Sequence, residues 1–485
     1  MSVERDRPAT GALPGAGELV VVWGFGRFGG GRGAARWLQA RGCRLRVVDR
    51  CPAAELPLGD LAGVEVAPEE ARSFAGADLV VVNPAIPPSH PLLAELQAGG
   101  VPLTQELDLF LAAYPGRVHA VSGTNGKSTT ATLLALGYRA LGHDVLLGGN
   151  IGRSLLDDEA AWRADQWAVV EVSSFQAARL RAQVDRLTMT PVTADHESWH
   201  GSLAAYRRDK LRLLAALVPG GTVHGSARCA VLRQALEERP GLGARLVGAG
   251  GLRLDATGTI LLGERALLPA GEPPLPGQGL REDLALALQS LEPEEDELAV
   301  LCAAFRGFRG LPHRLREIGR WRGIRFVDNG VSTLSETTRS ALEALRPGLD
   351  RGGRIHLVAG GREKGEPTDR AAEALAGGAD TIHLFGEVAT PLLQALLRAR
   401  GPTAITRSQR LLDALDAAMS GARAGDLLLF SPAFASHDQY HNFEERAGEA
   451  LEWWASRTRG LGNRPRGPHE QGLHGGGMGA SAGAQ

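Results

Sequence analysis

The stretch AVSGTNGKSTTATLL, residues 120–134, decides how the rest of this chain is read. The segment before it, RVHAVSG, has the composition of a strand, and KSTTATLLALGYRALG has that of a helix. A glycine-rich turn between the two aims backbone N–H groups and the positive end of the helix at an anion, the arrangement that holds phosphate. In a loop of the form G-x-x-x-x-G-K-[ST], Lys127 reaches the β- and γ-phosphates and Ser128 ligates Mg²⁺. That pattern asks for a glycine five residues before Gly126, and Val121 stands there. The expectation is a shortened nucleotide loop built from Gly123, Thr124, Asn125, Gly126, Lys127, Ser128 and Thr129. The competing reading is a purely structural turn.

Composition separates these readings. Of 53 basic residues, 50 are arginine; the three lysines are Lys127, Lys210 and Lys364. An amine is a compact charge that can lose its proton, whereas guanidinium keeps its charge. Lysine is therefore expected where arginine cannot do the chemistry. Net charge is −2, which gives no sign of a nucleic-acid partner. No apolar run reaches the ~18 residues of a membrane span. Four scattered cysteines, Cys43, Cys51, Cys229 and Cys302, fit a reduced, cytoplasmic setting.

With 485 residues, several domains are expected. Apolar strands alternate with helical stretches from residue 18 to 458, the pattern of parallel α/β sheets. Three successive units follow: 18–105, 106–310 and 311–458. They are flanked by Gly- and Pro-rich segments, 1–17 and 459–485, expected to be disordered tails. The fold class is α/β, with a Rossmann-like N-terminal domain, a P-loop ATPase-like central domain and a Rossmann-like C-terminal domain. GFGRFG, residues 24–29, follows a strand, and Asp49 and Arg50 end the next one. By pattern alone this is a dinucleotide site. Glu171 ends the apolar strand WAVVEV and suits Mg²⁺ by residue type.

GTNGKSTT resembles the ATP loop of the Mur ligase family, whose members join an amino acid to a carboxylate using ATP. EVSSFQ (171–176) looks like the corresponding segment of the glutamate-adding members. GGNIG (148–152), TADH (193–196), YRRDKLRLL (206–214), GLPHR (310–314) and SPAFASHDQYHNFEERAG (431–448) follow in the family's order. The resemblance covers roughly residues 18–458. It implies an ATP-dependent ligase of cytoplasmic peptidoglycan-precursor synthesis that adds glutamate, D-glutamate foremost, to UDP-N-acetylmuramoyl-L-alanine. It also implies that Glu171, His196 and Lys210 help hold Mg²⁺, with Lys210 carbamylated by CO₂. Lys127, Lys210, His196 and Glu171 are the expected catalytic set, and Ser128 joins the metal set. His313, Arg314, Asn329 and Asp283 are expected at ATP. Gly24, Phe25, Gly26, Asp49, Arg50, Asn150 and Ser173 are expected at the uridine substrate. Lys364, Thr333, Ser436 and Phe443 are expected at glutamate. The partners are small molecules, with no nucleic acid and no membrane, and a monomer is expected.

Some positions depart from the family. Where an Asn-Asp-Ser-Lys-Ala-Thr-Asn segment is usual, the chain reads VDNGVSTLSETT, so Asn329 takes the aspartate position, Val331 the lysine's and Leu334 the second asparagine's. Asp283 stands where an asparagine is usual. The glutamate pocket must then be rebuilt, with Thr333, Ser332 and Arg362 as candidates. An L-glutamate-adding variant, another Mur-type or folylpolyglutamate-type ligase, a nucleotide-binding regulatory protein and a nicotinamide oxidoreductase are the rival readings.

Overall fold

The computed structural model describes residues 13–26, 29–61, 63–273, 277–363, 367–399 and 404–459. Lys364 and most of both expected tails lie outside the described residues. Of the segment 1–17, Pro14 is buried, and the Gly17 N–H donates to Gly42 O at 2.9 Å. The chain divides into two compact units, one up to Gly310 and one from Leu311.

The first unit carries two parallel sheets. Strands β1 (Leu19–Trp23), β2 (Arg44–Asp49), β3 (Glu65–Pro68), β4 (Leu79–Val82) and β5 (Leu103–Thr104) lie in the order β3-β2-β1-β4-β5. The order reverses beside β1, so the turns after β1 and β4 flank the crevice where such sheets bind ligands. The second sheet contains β6 (Arg117–Ser122), β7 (Val145–Gly149), β8 (Trp167–Glu171), β9 (Val184–Met189), β10 (Leu217–Ser226) and β11 (Gly243–Val247), in the order β11-β10-β9-β6-β8-β7. Strands β6 and β8 sit in its interior and are almost wholly buried, which is why they read as continuous apolar runs. A small antiparallel sheet follows: β12 (Leu252–Leu254), β13 (Ile260–Leu262) and β14 (Arg265–Leu268).

The second unit is one six-stranded sheet. Its strands are β15 (Arg316–Trp321), β16 (Ile324–Asp328), β17 (Ile355–Gly360), β18 (Thr381–Phe385), β19 (Ala404–Arg407) and β20 (Leu427–Ala433), ordered β15-β16-β20-β17-β18-β19. Among the described pairings of these strands, the β15–β16 hairpin is antiparallel and the rest are parallel. Among the described residues, no helix is long and apolar enough to cross a membrane.

One element differs from its sequence reading. The periodicity of SLAAYRRDKLRLLAALV suggests one helix, but the α-helix is Leu203–Leu211, followed by a 3₁₀ turn over Arg212–Ala216 and then β10. A short apolar run serves a buried helix or a buried strand equally well, and pairing of Leu217 with Val184 makes it a strand.

Asp108 ties the helix Glu106–Ala113 to the loop before β9. Its Oδ1 accepts the N–H groups of Arg181 and Ala182, both at 2.9 Å, and its Oδ2 accepts Gln105 Nε2 at 3.0 Å. Asp108→Ala removes the acceptor of two N–H groups, the one on Ala182 buried and the one on Arg181 partly so. We expect it to cost about 3 kcal/mol, read as a lower urea midpoint at unchanged slope.

Candidate active site

The loop after β6 is compact because it folds onto the chain that follows β9. Gly123 has φ +143°, and a Cβ there would sit 1.8 Å from Thr190 Oγ1. Thr190 Oγ1 donates to Asn125 O at 2.6 Å, and the Thr124 N–H donates to Pro191 O at 2.9 Å. The Thr124 hydroxyl meets Tyr206 OH at 2.8 Å and accepts the Thr193 N–H at 2.9 Å. Gly126, at φ +83°, caps the helix Lys127–Ala140 in a left-handed conformation that suits glycine. Val121 is a buried residue of β6 and not a loop residue at all. The turn therefore begins after Ser122, and a glycine at 121 would serve nothing.

Both described lysines reach this loop. Lys127 Nζ donates to Thr124 O at 2.6 Å, and Lys210 Nζ donates to Gly123 O at 2.5 Å. Lys210 is only 1 % exposed and lies 5.2 Å from the centre of the Tyr206 ring. Burial, with the positive charge of Lys127 adding to it, brings the Lys210 amine down to about 7, while Asp195 and Glu171 pull the other way. This amine is therefore substantially neutral near pH 7, a state closed to guanidinium.

Glu171 ends β8 beside β6 and is 2 % exposed. Its Oε1 accepts Asn150 Nδ2 at 2.9 Å, whereas the buried Oε2 has no hydrogen-bond partner among the described residues. His196 has φ +48° and packs its ring 4.9 Å from Phe175, with Nε2 3.3 Å from Asp195 Oδ2. Burial lowers its pKa, Asp195 opposes this, and the fields of Lys127 and Lys210 lower it further. Ser128 and Thr129 are buried in the first turn of the loop helix. Ser173 forms a capping box with Gln176.

No group of three or more His, Cys, Asp or Glu with metal-holding geometry occurs among the described residues. A Mg²⁺ ion does not need one, because it binds through one or two protein oxygens together with phosphates and water. The orphaned Glu171 oxygen near Lys210 fits such an ion.

Asp283 lies on the helix Gln278–Ser290, against the same loop; a Cβ on Gly126 would sit 2.1 Å from its Oδ1. Complete burial, with Glu282 nearby, pushes its carboxyl up to about 7. In the first sheet, Gly24 and Gly26 adopt φ of +75° and +70°. Asp49 holds this turn: it accepts the Phe25 N–H at 2.7 Å and the Cys51 N–H at 2.9 Å. Arg50 is exposed and donates to Glu69 at 2.8 Å.

The second unit places its own set. His313 Nδ1 meets Asp328 Oδ2 at 2.7 Å, and its ring centre is 6.5 Å from that of Phe443. Arg314 is exposed. Asn329 is 4 % exposed and bridges the Leu315 N–H and Ser431 Oγ. Ser436 is buried, and Thr333 is exposed. Of the residues considered for the rebuilt pocket, Ser332 is spent on Thr338 at 2.8 Å, and Arg362 forks onto Glu387 at 2.6 and 2.9 Å.

Sequence reading missed an acid–histidine pair beside Lys210 and two side chains at the loop. Thr190 and Tyr206 brace it, and His200 Nδ1 meets Asp209 Oδ2 at 2.7 Å next to Lys210 in sequence. The only signal in the sequence was their nearness to TADH and to Lys210.

The chain matches the model of the Mur ligase middle domain over residues 121–249 and that of the Mur ligase glutamate ligase domain over 313–434. It is 32 % identical to the UDP-N-acetylmuramoylalanine–D-glutamate ligase of Sodalis glossinidius, over 89 % of this chain and 96 % of that one. The chain belongs to the Mur ligase family. A Mur ligase of Micromonospora sp., named UDP-N-acetylmuramoyl-L-alanine–L-glutamate ligase, is also 32 % identical, over 89 % of this chain and 95 % of its own. In fold, the chain is similar to the Mur ligase MurF of Thermotoga maritima in complex with ADP, with a TM-score of 0.56 at 15 % identity, covering 91 % of this chain and 95 % of that one.

Proposed function

We propose that this Mur ligase uses ATP to join glutamate to the carboxylate of UDP-N-acetylmuramoyl-L-alanine in the cytoplasm, releasing ADP and phosphate. The observation that carries this reading is the meeting of two lysines at one glycine loop, with the Glu171 carboxylate near enough to act on the Lys210 amine. A protein that merely bound nucleotide would not need a second buried amine there.

The proposed division of labour follows the three segments: 18–105 for the uridine substrate, 106–310 for ATP and 311–458 for glutamate. The substrate carboxylate attacks the γ-phosphate, forming an acyl phosphate; the glutamate amine then displaces phosphate and forms the amide. Bound Mg²⁺ neutralises charge on the phosphate oxygens. Ser128, Glu171, His196 and a modified Lys210 are the groups to hold it. Lys127 takes the β- and γ-phosphates, with Gly123 to Thr129 lining the loop and Asp283 behind it. In Lys210 the neutral amine attacks the carbon of CO₂: an N–C bond forms, the electron pair of one C=O π bond moves onto oxygen, one proton leaves the nitrogen, and the neutral side chain becomes a carbamate anion. His313, Arg314 and Asn329 serve the nucleotide. Lys364, Thr333, Ser436 and Phe443 serve glutamate. Gly24, Phe25, Gly26, Arg50, Asn150 and Ser173 serve the uridine substrate, and Asp49 acts through the Gly24–Gly26 turn that it holds.

The D enantiomer is the first reading. The L enantiomer is the second, favoured by Val331, which supplies no ammonium to the amino acid, and by the equal likeness to an L-glutamate-adding relative. Phosphate release is measured with ATP, UDP-N-acetylmuramoyl-L-alanine and D- or L-glutamate, each omitted in turn. We expect release only when all three are present, and with one enantiomer. Release that ignores both co-substrates would remove the ligase reading.

A further inference from the structure

A cavity of about 730 Å³ opens in the first unit between β11, the end of the helix Ala230–Glu237 and the small antiparallel sheet. It is distinct from the nucleotide loop. Gln289, on its wall, lies six residues beyond Asp283 on one helix, about 9 Å along the axis. Leu291, just past that helix, packs on Gly137, ten residues into the loop helix and about 15 Å from its start.

The walls are apolar, with Leu236, Leu246, Leu252, Leu262 and Leu298 among them. Its volume lies in the range of small-molecule sites. Two donors on the wall are unspent. Gln289 is 9 % exposed, and its buried Nε2 has no hydrogen-bond partner among the described residues. A buried donor left this way costs free energy until something accepts from it. Arg233 forms no ion pair among the described residues. Two carboxylates of the wall are ion-paired, Glu292 with Arg186 at 2.7 Å and Arg245 at 3.2 Å, and Glu295 with Arg265, although the buried Glu292 Oε1 accepts no hydrogen bond among the described residues. Glu237, one turn from Arg233, is exposed to screening water.

We propose that this cavity binds a small amphipathic organic anion, its apolar body among the leucines and its anionic head accepting from the Gln289 amide and Arg233. Leucine walls alone would suit any oil. The buried donor, and a guanidinium with no ion pair among the described residues, select a head that is an acceptor and carries negative charge. The proposal does not depend on the ligase reaction.

The probe is 1-anilinonaphthalene-8-sulfonate, compared with its uncharged relative N-phenyl-1-naphthylamine, titrated by fluorescence into the full chain. We expect one sulfonate probe per folded chain, bound about tenfold more tightly than the neutral one. Saturating Mg-ATP should leave it bound. Leu262→Trp, which fills the cavity from a half-exposed position, should abolish binding of both probes. Arg233→Glu, at an exposed position, should erase the preference for the sulfonate. Circular dichroism and urea midpoints check that both variants fold; should Leu262→Trp not, Arg233→Glu still decides. Equal affinity for the two probes, displacement by ATP, or sulfonate binding unchanged by Arg233→Glu would each overturn the proposal.

Discussion

Lys210→Ala is expected to lower turnover about 10³-fold, the scale of removing one fixed charge-stabilising group from a reacting centre. Added formate or acetate should restore part of it by placing an anion where the carbamate would be. Lys210→Arg should stay inactive, because guanidinium keeps its proton and cannot add CO₂. The pH dependence has a definite sign. Only the neutral amine is nucleophilic, and its pKa is brought down to about 7. The neutral fraction falls as pH drops through that value, so rate should decline on the acid side of pH 7, and added bicarbonate should offset the loss. Steady-state phosphate release across pH 6 to 9, about three units spanning that pKa, measures this with and without bicarbonate. An active Lys210→Arg enzyme would sink the carbamate.

The second large effect concerns Gly123. An alanine Cβ there would lie 1.8 Å from Thr190 Oγ1 and 2.7 Å from Thr190 O, at a φ of +143° that L residues rarely adopt. The hydroxyl could rotate away, but the carbonyl is backbone and cannot. The loop would have to shift by the order of an ångström, carrying with it the carbonyl that accepts from Lys210. Such a displacement costs about 10²-fold in rate. Gly123→Ala should thus lose about that much turnover, with ADP affinity falling in parallel by calorimetry and the far-ultraviolet spectrum unchanged. Val121→Gly, which would restore the longer loop pattern, should improve neither affinity nor rate, since position 121 belongs to β6. If Gly123→Ala binds ADP normally, the loop is not the nucleotide site.

Much of the site was legible because its signals are local. A strand, a glycine turn and a helix follow one another within residues 117–140, so residue order alone places Lys127 at the loop. The dearth of lysine was equally plain, and it singled out Lys210 before any neighbour was known. Parallel strands buried on both faces announced the α/β class through their continuous apolar runs. Other features were invisible because they join distant segments. Thr190 lies 65 residues from Asn125, and Tyr206 lies 82 from Thr124, so no spacing rule connects them. Asp49 read as a ligand group, and only the fold shows that its oxygens also accept two backbone N–H groups, one of them 24 residues away.

The order of residues by itself determined which side chains could take part: an amine in place of guanidinium at 127 and 210, a carboxylate at the end of β8, and glycines at 123 and 126 where backbone must pass closely. The tertiary structure alone decided their states. Lys210 is lowered to about 7 because folding buries it beside Lys127, 83 positions away in the chain. Glu171 keeps an orphaned oxygen because the fold gives Asn150 only one of the two. Identity is a property of the chain, but protonation and unsatisfied hydrogen bonding depend on burial and on neighbours, and these exist only once remote segments pack.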